Sequence, residues 1–146
     1  MPSIKFSSAV LCEEVRREAN GRAILIGAGM IGPKLSVEQE TEIPRIAFYL
    51  ESELVDVERV LFRLTCPTND DTPIEVDMGF QPMRSRGDED PSDVPPEGAP
   101  IAAALVFNNE RVKFSGPGIY ELQYRIADED WALVKKFRFP EAVAEQ

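Results

Sequence analysis

The last third of the chain alternates apolar and polar residues along a ribbon that folds back at a cluster of acids. The turn Ala127-Asp128-Glu129-Asp130 separates the outgoing half from the returning half. The apolar positions are Tyr120, Leu122, Tyr124 and Ile126 before the turn, and Trp131, Leu133, Phe137 and Phe139 after it. A period of two is typical of half-buried strands, so this segment predicts a β-hairpin with these side chains facing a core.

Similar short apolar runs, each bounded by turn residues, predict about eight strands in the whole chain. The other predicted strands cover Ile4 to Cys12, Arg22 to Gly27, Arg45 to Leu50, Glu58 to Cys66, Ile74 to Phe80 and Ile101 to Phe107. The last of these is expected to turn at Asn108-Asn109 before Val112 and Phe114 continue it. Because no helical period is sustained, the predicted fold class is an all-β antiparallel β-sandwich, immunoglobulin-like or C2-like.

A glycine corner just before the hairpin favours the same fold class. Gly116-Pro117-Gly118 leads directly into Tyr120 at the start of a strand. This arrangement resembles the tyrosine corner of immunoglobulin-like sandwiches and carries no catalytic meaning.

The segment that follows the first strand is open to two interpretations. Leu11, Val15 and Ala19 recur every four residues, and Asn20-Gly21 would end a helix there. The same dipeptide is a strong turn between two strands. We favour a strand to Cys12, followed by a helix of no more than about two turns.

A chain of 146 residues fits a single domain over 1–146. The segment at about 82–100 is rich in proline and acidic residues and has no recurring apolar positions. We expect one long, flexible loop there.

Charge and composition narrow the possible functions. The net charge is −10 at pH 7, which repels phosphate backbones, so no nucleic-acid partner is expected. The chain has no histidine, so it cannot build a Ser-His-Asp or Cys-His catalytic centre from its own residues. We therefore expect a protein that is not an enzyme, without catalytic residues.

Neither a membrane span nor a signal peptide is predicted. No apolar run approaches about 18 residues, and the first residues lack the pattern of an export signal, so a cytoplasmic protein is expected. Cys12 and Cys66 both lie in apolar, strand-like runs, which indicates buried free thiols. A disulfide would require their strands to be neighbours, and two cysteines cannot form a zinc or redox site of the CxxC type.

The segment Gly27-Ala28-Gly29-Met30-Ile31-Gly32 matches the GxGxxG pattern of dinucleotide-binding sites. Pro33 follows the last glycine, and Lys34 to Ile43 has no apolar helical stripe, so the helix that such a site needs is missing. Glycines that end one strand and let the chain cross between sheets explain the motif better.

Acidic connections form a candidate cation site. If the strands run up and down, three connections share one end of the sandwich. They carry Glu51-Ser52-Glu53 with Asp56 and Glu58, then Asp88-Glu89-Asp90, then Asp128-Glu129-Asp130. Calcium takes several oxygen ligands, so Asp88, Asp90, Asp128 and Asp130 are candidate calcium ligands. Solvated acids at turns explain the same residues without a metal, and no other cofactor is predicted.

The N-terminal third resembles an uncharacterised bacterial family. The resemblance lies in Ser8 to Val15, where an apolar strand ends in a Cys-acid pair, and in Asn20-Gly21-Arg22 and Leu25-Ile26-Gly27. It implies an immunoglobulin- or C2-like sandwich and no known activity. The segment Arg84 to Ala99 departs from the family pattern.

Together these observations predict a non-enzymatic, cytoplasmic β-sandwich. We expect it to bind a protein partner, or a second copy of itself, through a loop end or an exposed sheet edge. The alternative is a calcium-dependent binding module that uses the acidic loops.

Overall fold

The structure is a computed structural model that describes residues 2–19, 22–29, 31–79 and 100–142. Across these residues the chain forms nine strands and no helix. The strands are β1 (Ser3–Cys12), β2 (Glu14–Arg17), β3 (Ala23–Ile26), β4 (Thr41–Val55), β5 (Arg59–Cys66), β6 (Asp71–Gly79), β7 (Ile101–Phe114), β8 (Gly118–Ile126) and β9 (Ala132–Phe139). The all-β prediction is confirmed. Residues 82–99 of the predicted loop lie outside the described residues.

The strands form two facing sheets and a separate hairpin. Sheet I has the order β1–β4–β7, sheet II has the order β6–β5–β8–β9, and β2 pairs with β3. All of these pairs are antiparallel. The order matches an immunoglobulin-like sandwich, in which strands A, B and E face strands C′, C, F and G.

The main core lies between the two sheets and is rich in aromatic rings. Phe48 of sheet I meets Phe137 of sheet II edge to face, with 5.4 Å between ring centroids. Phe62 and Phe107 pack at 4.7 Å across the same interface. Edge-to-face contacts of this kind add to the stabilisation from burial, so these rings hold the sheets in register.

The tyrosine corner is present where the sequence predicts it. The hydroxyl of Tyr120 donates to the carbonyl oxygen of Gly116 at 2.7 Å, and the side chain is fully buried. Oδ2 of Asp71 is a second acceptor at 2.9 Å, and it also accepts from the backbone N–H of Ser115. The corner therefore ties the start of β6 to the connection between β7 and β8.

The prediction of a short helix after Cys12 is wrong. Residues Glu14–Arg17 form β2, which pairs with β3 so that Arg17 lies opposite Ala23. The turn residues Asn20 and Gly21 lie outside the described residues. In β2, Val15 packs against sheet I, whereas Glu14 and Arg16 contact each other on the opposite side of the strand. A spacing of four residues equals two strand periods, so the spacing of Leu11 and Val15 fits a strand as well as a helix.

The turn predicted at Asn108-Asn109 is also wrong. Both residues lie inside β7, which pairs with β4 continuously from Leu54↔Ile101 to Thr41↔Phe114. Asparagine is enriched in turns because its side chain bonds local backbone, but here tertiary partners bind both amides. The predicted sixth strand and its continuation are one strand.

The core assignment of Trp131 and Leu133 requires a correction. Leu122 pairs with Lys135, but the next residue, Gln123, pairs with Leu133, so Val134 is an extra residue in β9. This bulge reverses the side on which the earlier residues of β9 point. Leu133 is 48% exposed, whereas Phe137 and Phe139, beyond the bulge, are buried as predicted.

The glycine-rich segment after β3 crosses from one sheet to the other, as predicted. The backbone N–H of Gly29 donates to Leu11 of β1, and that of Gly32 donates to Arg138 of β9. Leu35 then pairs in parallel with Glu141. We call residues 27–35 the crossing segment. Its described residues, 27–29 and 31–35, form no helix, the element that a dinucleotide site requires.

Candidate binding surfaces

The outer face of sheet I is covered by the hairpin formed by β2 and β3. Val15 of the hairpin packs with Cys12 and with Ala47 of β4 in a second, smaller core. The side-chain amide of Asn108 accepts from the backbone N–H of Val15 at 3.0 Å and donates to its carbonyl oxygen at 3.1 Å. The side chain thus pairs with β2 as a neighbouring strand would, and it fixes the hairpin on sheet I.

The outer face of sheet II is not covered by a further layer within the described residues. Its side chains are identified by cross-strand pairing, because residues directly opposite each other share a face. Trp131 precedes β9 and belongs to this face because it contacts Arg63 and Arg125. The members are Arg59, Leu61, Arg63, Thr65, Glu75, Asp77, Ile119, Glu121, Gln123, Arg125, Trp131, Leu133, Lys136 and Arg138. We call this set the sheet II outer face.

At the centre of this face, Trp131 lies between two arginines. The guanidinium carbon of Arg63 is 4.1 Å from the centroid of the indole ring, and that of Arg125 is 4.9 Å from it. Nε of Arg63 donates to Oε1 of Gln123 at 2.7 Å, which orients the guanidinium. These two cation–π contacts stabilise the indole against the sheet.

The terminal nitrogens of the two arginines keep capacity for a further partner. Among the described residues neither Arg63 nor Arg125 forms an ion pair, and the buried Nε of Arg125 has no hydrogen-bond partner. An arginine carries five N–H donors, and within the described part of the chain Nε of Arg63 is the one donor of these two side chains that makes a hydrogen bond. Leu133, opposite Gln123, is 48% exposed, and Ile119, opposite Arg138 farther along β8, is 49% exposed.

The charge of this face is opposite to that of the whole chain. Its five basic residues outnumber its three acidic residues, Glu75, Asp77 and Glu121, although the net charge of the chain is −10. Arg59 is held by Asp77 at 2.9 Å. Without this pair, four basic residues and two acidic residues remain, so the set itself carries more positive than negative charge.

The predicted calcium ligands are partly outside the structure. Asp128 and Asp130 are exposed in the turn between β8 and β9, and Asp88 and Asp90 lie outside the described residues. Within the described ranges, no three metal-binding side chains come close enough to hold an ion. The calcium site stays a prediction.

The calcium prediction assumes that three acidic connections lie at one end of the sandwich, and the strand pairing supports part of this assumption. Val60 at the start of β5 lies opposite Ile126 at the end of β8, and Gly79 lies opposite Arg59. Glu51 and Glu53, however, lie within β4 and not in a connection, so they were placed wrongly.

Both cysteines are buried free thiols, as predicted. Cys12 lies in sheet I and its thiol donates to the carbonyl oxygen of Ala47. Cys66 lies in sheet II beside the hydroxyl of Thr68. Burial raises the pKa of Cys12, so this thiol is a poor nucleophile at neutral pH.

No helix within the described residues is both long and apolar enough to cross a membrane.

The group around Trp131 was not predicted from the sequence. The alternation of Arg63 and Arg125 with apolar residues already indicated that both point outwards from their strands. The bulge at Val134, which brings Trp131 to the same side, leaves no mark in the sequence pattern.

Comparison with known proteins found no relative of this chain. No family model matches the chain, and no curated protein or solved structure matches it either. The resemblance to an uncharacterised bacterial family is therefore untested and stays a prediction.

Proposed function

We propose that this protein is a non-enzymatic, cytoplasmic binding module whose sheet II outer face holds an acidic segment of another protein. The observation that carries the proposal is the open, locally positive face around Trp131 on a chain of net charge −10. The absence of histidine and the two buried free thiols agree with a binding role in a reducing compartment.

The composition of the face supports a protein partner. Tryptophan and arginine are the residues that most often dominate the energetics of protein interfaces. Trp131 already contacts Arg63 and Arg125 in the free chain, which reduces the side-chain entropy lost on binding. Leu133 and Ile119 add exposed apolar surface to the same face, and they would lose contact with water when a partner binds.

The local charge supports an acidic partner segment. Carboxylates match the planar donor groups of Arg63 and Arg125, which can each make two parallel hydrogen bonds to one carboxylate. Lys136 and Arg138 extend the positive potential along β9. The rest of the chain is acidic and would repel an acidic partner elsewhere, so the attraction would also orient the encounter.

The sheet edges support this choice of face over the edge that the sequence suggested. On one side, Ile31 pairs with Arg138 of β9, and Gly29 pairs with Leu11 of β1. On the other side, β6 carries Pro73, and Arg17 donates to the carbonyl oxygen of Ala104 in β7. Proline and covering contacts block the addition of a further strand.

The test uses the full chain as bait in an extract of its native host. Leu133→Glu and Arg138→Glu change exposed side chains on the proposed face, so both variants should fold normally. Ile24→Glu, on the exposed side of the covering hairpin, is the matched control. We expect a partner whose retention falls at least about tenfold with both face variants and stays unchanged with the control.

The bound region of that partner, mapped with overlapping peptides, should be acidic, and its affinity should fall with added salt. A partner retained equally by all variants would overturn the proposal. So would self-association through this face, or the capture of no protein at all.

A further inference from the structure

A groove lies on the sheet I side of the molecule, where β4 continues beyond the end of β1. Strand β1 ends with Cys12 opposite Ala47, whereas β4 begins at Thr41. Gly27, Ile31, Gly32 and Pro33 of the crossing segment line the resulting space. The space has a volume of about 510 Å³, within the range of about 300–1,000 Å³ typical of small-molecule sites.

The groove has an apolar floor and apolar walls. Leu11, Cys12 and Ile46 form a buried floor. Ile43 and Pro44 of β4 form one wall, and Ile31 and Pro33 of the crossing segment contribute to the other. Ile31 is 62% exposed, so a ligand in the groove would cover apolar surface that otherwise contacts water.

The two outer glycines of the GxGxxG motif also line the groove. A Cβ atom at Gly27 would lie 2.8 Å from Cγ of Glu13, and one at Gly32 would lie 2.5 Å from the ring of Phe139. Both positions therefore exclude a side chain, and the crossing segment keeps its course close to β9. The motif shapes the groove but offers no helix N-terminus for a phosphate.

The charges at the rim balance each other. Glu13 and Arg45 line the groove, and Arg45 lies 3.4 Å from Oε2 of Glu14. Arg16 approaches the same carboxylate oxygen at 3.3 Å. Glu13 and Arg45, one acid and one base, are the charged residues of the lining, so the lining itself carries no net charge.

We propose that this groove binds one uncharged, predominantly apolar small molecule per chain. The apolar floor would replace water around the body of the ligand, and the balanced rim favours a neutral group at its polar end. The groove residues belong to β1, β4 and the segments between Cys12 and Thr41, so the site shares no residue with the sheet II outer face.

The test is a fluorescence titration of the full chain with the uncharged dye N-phenylnaphthylamine, followed by competition. We expect saturable binding of one dye molecule per chain. Decanol should displace the dye at concentrations about tenfold lower than decanoate or decylamine, because only decanol is uncharged. A preference for either charged competitor, or no saturable binding, would overturn the proposal.

Ile31→Glu places a carboxylate on the wall of the groove and should weaken dye binding at least about tenfold. Val37→Glu is the matched control, because Val37 is 57% exposed in the same connection and does not line the groove. Leu133→Glu tests the exposed apolar residues of sheet II. Both controls should leave dye affinity unchanged, and an effect of either one equal to that of Ile31→Glu would contradict the assignment.

Discussion

The hydroxyl of Tyr120 carries one proton and has two acceptors, the Gly116 carbonyl oxygen and the Asp71 carboxylate. A buried phenol held this way is stabilised in its neutral form. Burial, and after it the hydrogen bond and the negative charge of Asp71, raise the pKa of Tyr120 above its usual value of 10.0. The side chain thus joins two connections of the sandwich and excludes water from the corner.

Tyr120→Phe should lower the free energy of unfolding by about 1.5–3 kcal/mol, because hydrogen bonds to charged groups contribute about that much. Urea unfolding followed by fluorescence measures the change. Tyr124→Phe is the control, because the hydroxyl of Tyr124 makes no hydrogen bond within the described residues, and its effect should stay within about 0.5 kcal/mol. Equal losses for the two variants would contradict a special role for the corner.

The same tyrosine should make stability depend on pH in the alkaline range. Its folded pKa is raised, so its contribution is fully present below the unfolded value of 10.0 and is lost as pH rises above it. The wild-type protein should therefore lose stability between about pH 9.5 and 11 more steeply than Tyr120→Phe. Parallel urea midpoints for the two proteins across this range would rule the linkage out.

The β2–β3 hairpin shows how an element can be decided by partners far along the chain. Its sequence suits a short helix and a strand almost equally. Asn108 pairs with the backbone of Val15 across 93 residues, and the apolar side of the hairpin finds Ala47 on sheet I. Local propensity is weak against such packing, so this strand could not be predicted from its own residues.

Asn108→Ala should release the hairpin without opening the sandwich. It removes two hydrogen bonds, each contributing about 0.5–1.5 kcal/mol, so amides of residues 14–26 should exchange faster with deuterium. Amides of 60–66 in β5 should keep their protection. Asn109→Ala is the control, because within the described residues the Asn109 side chain donates one hydrogen bond, a long one of 3.4 Å to the Ile46 carbonyl oxygen. Uniform loss of protection across both segments would show that the hairpin is not a separate unit.

The alternation of apolar and polar residues predicts the core face correctly in β8 but not throughout β9. The core face of Tyr120, Leu122 and Ile126 follows directly from the pattern, and the structure confirms it. The pattern fails in β9, because a single extra residue at Val134 reverses the side on which Leu133 points. A register of this kind is fixed by the pairing of two strands, and neither strand contains it alone.

At the scale of the whole molecule, the crossing segment determines which surfaces stay open. It pairs with β1 through Gly29 and with β9 through Ile31, so it closes one side of the sandwich. The sequence predicted this crossing from its glycines. It could not predict that β5 lies beside β8, which brings Arg63 and Arg125 to one face, because sheet order depends on contacts between distant strands.

Gly32 holds this closure together, and Gly32→Ala should disturb it. A Cβ atom there would stand 2.5 Å from the ring of Phe139, which is buried and packs against Phe114 and Tyr120, so either the ring or the segment must shift. We expect a loss of about 1–3 kcal/mol in the free energy of unfolding and faster proteolysis of the crossing segment.

Gly29→Ala is the matched control, because its nearest contact would be 4.0 Å away. If both variants lost equal stability, backbone freedom and not close packing would explain the glycines. An intact crossing segment in Gly32→Ala would mean that the ring of Phe139 can yield, and that the closure does not depend on this contact.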